Sequence, residues 1–237
     1  MFLFLHKALL YLQDLIFPKV CLGCRREGQW LCPVCLEKIS LTTVDVCPIC
    51  KQPSENGLVC RQCRGQSFLD GLWVVADYDD WLVQDLIKAL KYDYVAELAV
   101  ELGRLVQKYF ARAAPEREGT FLLPVPLHRR RLLERGFNQS ELIAKSAGKF
   151  LQLPLAEPLL RRKKYLPAQA KLPRPARIVN IKSAFAYNEK FSQADRGMNL
   201  ILVDDVYTTG ATMQECASVL KKSGFDKVWG LVIARRK

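Results

Sequence analysis

Leu200-Ile201-Leu202-Val203-Asp204-Asp205-Val206-Tyr207-Thr208-Thr209-Gly210-Ala211-Thr212 is the stretch on which the reading of this chain turns. The four apolar residues at its start describe a strand buried on both faces. Two carboxylates stand at the C-terminal end of that strand, where open α/β sheets bind their ligands. A short loop, Thr208 to Thr212, then opens a helix. Gly210 permits a tight turn or a close backbone approach. The helix N-terminus supplies N–H donors and a positive dipole end, and the threonines add hydroxyls. A phosphate fits the loop, and the acids face something polyhydroxylated or cationic beside it. A sugar phosphate with Mg2+ satisfies both halves. A capped helix after a core strand would explain one Asp and one Thr, but not Asp-Asp followed by Thr-Thr-Gly-Ala-Thr.

The surrounding pattern extends this into an α/β domain. A strand is expected over 72–78, helices over 80–91 and 95–112, and a buried strand over 121–125 running into Pro124-Val125-Pro126. Asn138 is placed to cap a helix reaching Leu151, with Glu141 three residues on in a variant of the capping box. Residues 158–180, rich in Pro, Lys and Arg, read as an exposed loop flanked by short strands. A strand over 199–203, a helix over 211–222 ended by Gly224 and a strand over 227–234 complete the chain. Strands alternating with helices predict a mostly parallel sheet flanked by helices.

Eight of the nine cysteines form four Cys-x-x-Cys pairs: Cys21/Cys24, Cys32/Cys35, Cys47/Cys50 and Cys60/Cys63. Two such pairs complete a zinc tetrahedron, so eight thiolates fit two Zn2+ ions in closed, structural sites. Sequential pairing is simplest, and interleaved pairing satisfies the spacing equally well. The apolar start, MFLFLHKALLYLQDLIFP, is interrupted by Lys7 and Asp14 and lacks a basic lead and a small-residue cleavage site. It reads as an amphipathic helix over 1–18 packing on its own protein, with Leu5, Leu9, Leu12, Leu15 and Ile16 on one face, and docking on a membrane surface is the alternative. A reducing, cytoplasmic setting is therefore expected, with the cysteines holding zinc rather than disulfides.

The 237 residues are 50% hydrophobic and 25% charged, a globular balance that excludes a disordered or collagen-like chain and a disulfide miniprotein. No uncharged apolar run reaches the ~18 residues of a transmembrane helix. The net charge is +12, and residues 128–190 supply most of it, with 15 basic and 4 acidic side chains. That bias favours a phosphate-rich partner.

The Asp204–Thr212 segment resembles the phosphoribosyl pyrophosphate (PRPP) loop of type I phosphoribosyltransferases, with Tyr207 where an aliphatic residue is usual. Pro124-Val125-Pro126-Leu127-His128-Arg129-Arg130-Arg131, then Arg135-Gly136-Phe137-Asn138-Gln139-Ser140, resembles the ComF family, the competence-associated branch of that superfamily. Gln169, Leu172, Arg177, Asn180 and Ala184-Phe185 extend the likeness, and so does the double zinc ribbon. The resemblance implies a type I phosphoribosyltransferase-like fold, with a ribbon module over 19–68 and a phosphoribosyltransferase-like domain over 69–237. It implies that Asp204 and Asp205 are the catalytic acids, on the ribose hydroxyls. Thr208, Thr209, Gly210, Ala211 and Thr212 would cradle the 5′-phosphate. Arg129, Arg130, Arg131 and Arg135 would meet the pyrophosphate, joined by Lys171 and Arg177 from a closing loop. Lys88 and Lys91 are further candidates for lining the site, and Mg2+ would accompany PRPP.

Two functions follow from the resemblance. One is pentosyl transfer from PRPP to an acceptor the sequence does not name, with loss of pyrophosphate, in association with DNA uptake. The other is non-catalytic handling of single-stranded DNA, with a regulatory or vestigial PRPP site. Family membership implies a competence helicase or other DNA-uptake proteins as partners.

Overall fold

The computed structural model describes residues 18–112, 114–165, 181–190 and 197–236. The expected N-terminal helix falls outside these residues except for Pro18, and so do Lys171 and Arg177. The described elements run α1 (Pro33–Lys38), β1 (Gly71–Asp77), α2 (Trp81–Tyr92), α3 (Leu98–Phe110), β2 (Thr120–Pro124), α4 (Arg129–Arg135) and α5 (Gln139–Leu151). They continue with β3 (Leu160–Arg162), β4 (Phe185–Tyr187), β5 (Asn199–Tyr207), α6 (Ala211–Lys222) and β6 (Lys227–Arg235). The main sheet is fully parallel in the order β1-β6-β5-β2, and β3 and β4 form a separate antiparallel ribbon.

Side-chain alternation along β5 divides the interior in two. Ile201 and Val203 join the apolar faces of α2, α3 and α5. Leu200 and Leu202 join α6, β3 and β4 on the opposite face. The helices follow their sequence signals closely. Asp80 caps α2 by accepting from the N–H groups of Leu82 (2.9 Å) and Val83 (3.4 Å), a contact worth about 1 kcal/mol. One expected device is absent: Glu141 pairs with Lys145 and does not reach back to the Asn138 cap.

The ribbons close with sequential pairing. Cys21, Cys24, Cys32 and Cys35 form one four-sulfur set and Cys47, Cys50, Cys60 and Cys63 the other, each with its sulfurs within 4.8 Å of one another. The Sγ–Sγ distance is 3.7 Å for both Cys24–Cys32 and Cys50–Cys60. A tetrahedron with Zn–S bonds of about 2.3 Å has edges of about 3.8 Å, so both sets fit structural zinc. The first knuckle of each set ends on a left-handed residue, Arg25 (φ 65°) and Lys51 (φ 64°), and the two ribbons thus repeat one turn geometry. Burial disfavours ionisation of Cys21 and Cys35. Even so, N–H donors from Cys32, Cys24 and Gly23 bring the Cys21 thiol down to about 6, whereas burial and the neighbouring sulfurs push Cys35 up to about 12. Four thiolates in one such site need a bound cation to balance them.

The two ribbons are attached differently. Cys21, Cys32 and Cys35 belong to the same cluster as α2 and α3. The second site has a small cluster of its own, Cys47, Val59 and Cys63. The exposed edge of β1 is covered by Leu41, in the segment between the ribbons, and by Leu58 of the second ribbon, through bridges Leu41↔Ala76 and Leu58↔Gly71, which hides its unpaired backbone groups. Metal analysis should therefore find two zinc ions per chain. Cys35→Ala should lower the melting temperature of the whole domain by several degrees. Cys63→Ala should leave one zinc and a main transition near the wild-type temperature, with early hydrogen exchange confined to residues 45–66. Equal global effects from both variants would contradict this division.

Candidate functional site

The site begins where the sheet loses a strand. β2 pairs with β5 up to Pro124↔Val203, and the N–H of Val125 donates to the Val203 carbonyl at 2.9 Å. β5 was expected to end at Val203. It continues to Tyr207, paired with β6 on the other side alone. Asp204 and Asp205 thus lie in the last part of the strand, beside the space that β2 vacates. A cleft of about 240 Å³ opens there, walled by α2, α4, the start of α5, β3 and the end of β5.

Alternation sends the two acids to opposite faces. Asp205 turns towards α2 and pairs with Lys91 at 2.7 Å, both side chains largely buried. Its Oδ2 has no hydrogen-bond partner. Burial alone would discharge Lys91, but the Asp205 carboxylate outweighs it and holds the ammonium above its ordinary value. Asp204 turns the other way and accepts from Ser140 Oγ (2.8 Å) and the Asp205 N–H (2.9 Å). Burial and the adjacent Asp205 charge push its carboxyl up to about 6.

Ser140 is positioned by the start of α5. The Asn138 side chain accepts from the Ser140 N–H (3.2 Å) and donates to the Val125 carbonyl (3.1 Å), which ties the helix to the end of β2. The stretch expected as a pyrophosphate loop contains the short helix α4, capped by His128 Nδ1 accepting from the Arg130 N–H at 3.2 Å. His128 is therefore a helix cap. Gly136 ends α4 at φ 80°, a left-handed turn open to glycine. Beyond β3, Tyr165 docks on α4. Its hydroxyl donates to Glu134 (3.0 Å), Arg130 lies over its ring at 4.6 Å and His128 meets it edge-on at 5.3 Å.

The Thr208–Thr212 loop follows β5 directly. Gly210 adopts φ 78° and serves as the N-cap of α6 without a side-chain cap, and the Ala211 N–H donates to Thr209 Oγ1 at 3.3 Å. A Cβ on Gly210 would fall 2.1 Å from the Tyr207 hydroxyl, so glycine is required by both backbone and space. Tyr207 itself is buried beneath the loop, as a packing residue.

The cleft brings together Lys88, Lys91, Arg131, Arg135, Asp204, Asp205, Thr208 and Thr212. Thr209, Gly210 and Ala211 line a small adjoining hollow at the head of α6. Arg129 and Arg130 lie outside the lining, on the exposed side of α4. Ser140, Arg162 and Arg236 are cleft residues to which the sequence assigned no individual role, although Arg162 falls in the basic stretch 161–182 that the family resemblance places over the site. Ser140 sat within a quoted motif without a chemical role. The alternation Leu160-Arg161-Arg162 could have marked Arg162 as inward-facing, and nothing local marks Arg236.

Residues 12–64 match the double zinc ribbon domain. The chain is 32% identical over 232 residues to the DNA utilization protein YhgH of Escherichia coli K12, covering 92% of this chain and 98% of that protein. It is 30% identical over 206 residues to the competence protein ComFC of Bacillus subtilis, covering 84% and 81% of the two chains. Competence protein F of Haemophilus influenzae is 34% identical over 115 residues, about half of each chain. With a double zinc ribbon leading into a parallel α/β sheet, and with relatives aligned over most of its length, the chain belongs to the ComF family.

Proposed function

We propose that the cleft binds PRPP and that the chain transfers its pentosyl group to an acceptor, releasing pyrophosphate, in the use or uptake of DNA. The observation that carries this reading is the unpartnered Oδ2 of buried Asp205, held beside the Thr208–Thr212 loop. Lys91 fixes one oxygen of that carboxylate and leaves the other to accept from a ribose hydroxyl. Asp204, oriented by Ser140, would accept from the second hydroxyl. The loop threonines and the head of α6 suit a 5′-phosphate. Arg131, Arg135 and Lys88 would receive the pyrophosphate. The free oxygen of Asp205 also fits a water of hydrated Mg2+, which bridges few carboxylates and relies on substrate phosphates. When bound, Mg2+ would supply charge neutralisation on the leaving group. No histidine lines the cleft among the described residues, so bond breaking at the anomeric carbon rests on stabilising the departing charge.

A second reading, single-stranded DNA handling, is favoured by the exposed cations around α4 and the end of β3. Arg129, Arg130, Lys163 and Lys164 are exposed, and Tyr165 binds the two elements together. The names of the relatives, competence and DNA utilization, agree with such a partner. Backbone contact suits this face better than base readout, because Tyr165 is already engaged.

Calorimetric titration with PRPP and Mg2+ should show binding to the wild type. Asp205→Asn should weaken it by about 100-fold and cost about 3–5 kcal/mol of stability, because Lys91 is left buried and unpaired. The double variant Lys91→Met/Asp205→Asn should recover much of that stability without recovering affinity. Unchanged affinity in the double variant would remove the site assignment. For DNA, the affinity for an oligothymidylate should fall steeply with salt. Arg129→Ala/Arg130→Ala should flatten the logarithmic slope by about 0.7 per cation lost. A flat salt dependence in the wild type would remove the second reading.

A further inference from the structure

Arg162 is a cleft cation to which the reading above gives no task. It lies on β3, where side chains alternate: Leu160 is buried, Arg161 exposed and Arg162 half-buried. The alternation therefore turns one of two adjacent arginines inward. Arg162 stands directly across from Phe185 in the β3–β4 register, with its guanidinium 5.4 Å from the Phe185 ring centroid. Phe185 is itself buried in the core beneath the ribbon, so the stack fixes the guanidinium against a rigid wall. Nε of Arg162 is buried without a hydrogen-bond partner. Among the described residues, no carboxylate lies within ion-pair distance of it. The titratable groups that act on it are the buried thiol of Cys216, then Asp204, on the same face of β5, and Arg131, which repels it. Burial pulls the guanidinium below its ordinary value.

A half-buried guanidinium that lacks a counter-ion and faces a second one is costly in the free protein. An anion between the two would offset that cost. Lys91, on the opposite face, already has its carboxylate, whereas Arg162 has only a distant one. Strand alternation thus gives each acid a neighbouring cation but completes just one of the two pairs.

We propose that Arg162 is a further ligand-binding residue of the cleft, whose guanidinium receives a phosphoryl group of the bound sugar phosphate. The inference rests on the PRPP reading and adds to it a residue from the β3–β4 ribbon. The phosphoryl group belongs either to the pyrophosphate or to the 5-phosphate, and the two share the same chemistry.

The test uses the full chain with Arg162→Met, which keeps the apolar stem, Arg162→Lys, which keeps the charge, and Arg161→Met as an outward-facing control. Each is titrated with PRPP, pyrophosphate and ribose 5-phosphate in the presence of Mg2+, and melted without ligand. Arg162→Met should bind PRPP about ten-fold or more weakly, Arg162→Lys should retain part of the affinity, and Arg161→Met should match the wild type. Loss of pyrophosphate binding with ribose 5-phosphate unaffected would assign Arg162 to the leaving group, and the converse to the 5-phosphate. Without ligand, Arg162→Met should melt at or above the wild-type temperature, because an uncompensated charge has gone. Equal PRPP affinity in wild type and Arg162→Met would overturn the proposal and leave the PRPP reading standing. Melting several degrees lower would make Arg162 a structural residue and also overturn it. Failure of the wild type to bind any of the three would end both readings together.

Discussion

β5 outruns β2, and the site depends on that difference. Both strands run side by side until Pro124 meets Val203, and the Val125 N–H donates the last bond of the ladder to the Val203 carbonyl. Beyond that point β5 still has β6 on one side, so its backbone remains straight and supported through Tyr207. The other side is left to side chains. The acids follow the last apolar pair immediately, so they occupy the first positions where a strand residue can meet a ligand instead of a neighbouring strand. The turn at Gly210 and the head of α6 then lie one step further along the same line. The candidate binding groups are therefore carried by a rigid central strand.

The zinc ribbons serve this arrangement from the far edge of the sheet. The sulfurs of the first ribbon share a cluster with α2, and α2 carries Lys88, Lys91 and Tyr92 into the cleft. Glu37 of the first ribbon pairs with Lys108 of α3 at 2.6 Å, and Trp30 donates to Glu97 at the start of α3. Zinc binding, which contributes ~10–16 kcal/mol of apparent free energy in isolated fingers, is thereby coupled to the helix layer that holds Asp205 neutralised. The second ribbon touches β1 through Leu58, which bridges to Gly71, and the end of α3 through Asp45, which accepts from the Tyr109 hydroxyl. It stands further from the cleft in both contacts and packing.

Most of the fold was legible because its signals are local. The apolar run at 200–203, the caps at Asp80 and Asn138 and the Cys-x-x-Cys spacing each depend on a few neighbouring residues. The zinc pairing was open to the sequence because spacing constrains turns and not the distances between them. The end of β5 was placed at Val203 because two successive acids look like the end of a buried strand. Only the pairing with β6, a long-range contact, keeps them inside it. The α4 helix was missed for a related reason: its three consecutive arginines carry no apolar periodicity, and it is held by His128, Tyr165 and Gly136 instead. Ser140 and Arg162 depend on which face of which element reaches the cleft, a property settled by packing.

The cleft has more positive than negative groups, and their distribution says more than their number. Two adjacent carboxylates would repel each other on one face, so alternation separates them and burial raises the cost of leaving either without a partner. Asp205 meets this cost with an ammonium at contact distance. Asp204 meets it differently, with a hydroxyl, a backbone N–H and a carboxyl brought up to about 6. The asymmetry leaves the Asp204 side with a cation that is near but not bonded, and with Arg131 across from it. Lys91 is paired with Asp205, whereas Arg162 keeps a buried Nε without a partner, so the side of the cleft that holds Arg162 suits an anion. A bound phosphoryl group would relieve the Arg131–Arg162 repulsion, strengthen the hydrogen bonding of the buried guanidinium and leave the Asp205–Lys91 pair undisturbed. The free protein thus already fixes the Arg162 guanidinium on Phe185 and ties Tyr165 to α4, on the side of the cleft where an anion would be received.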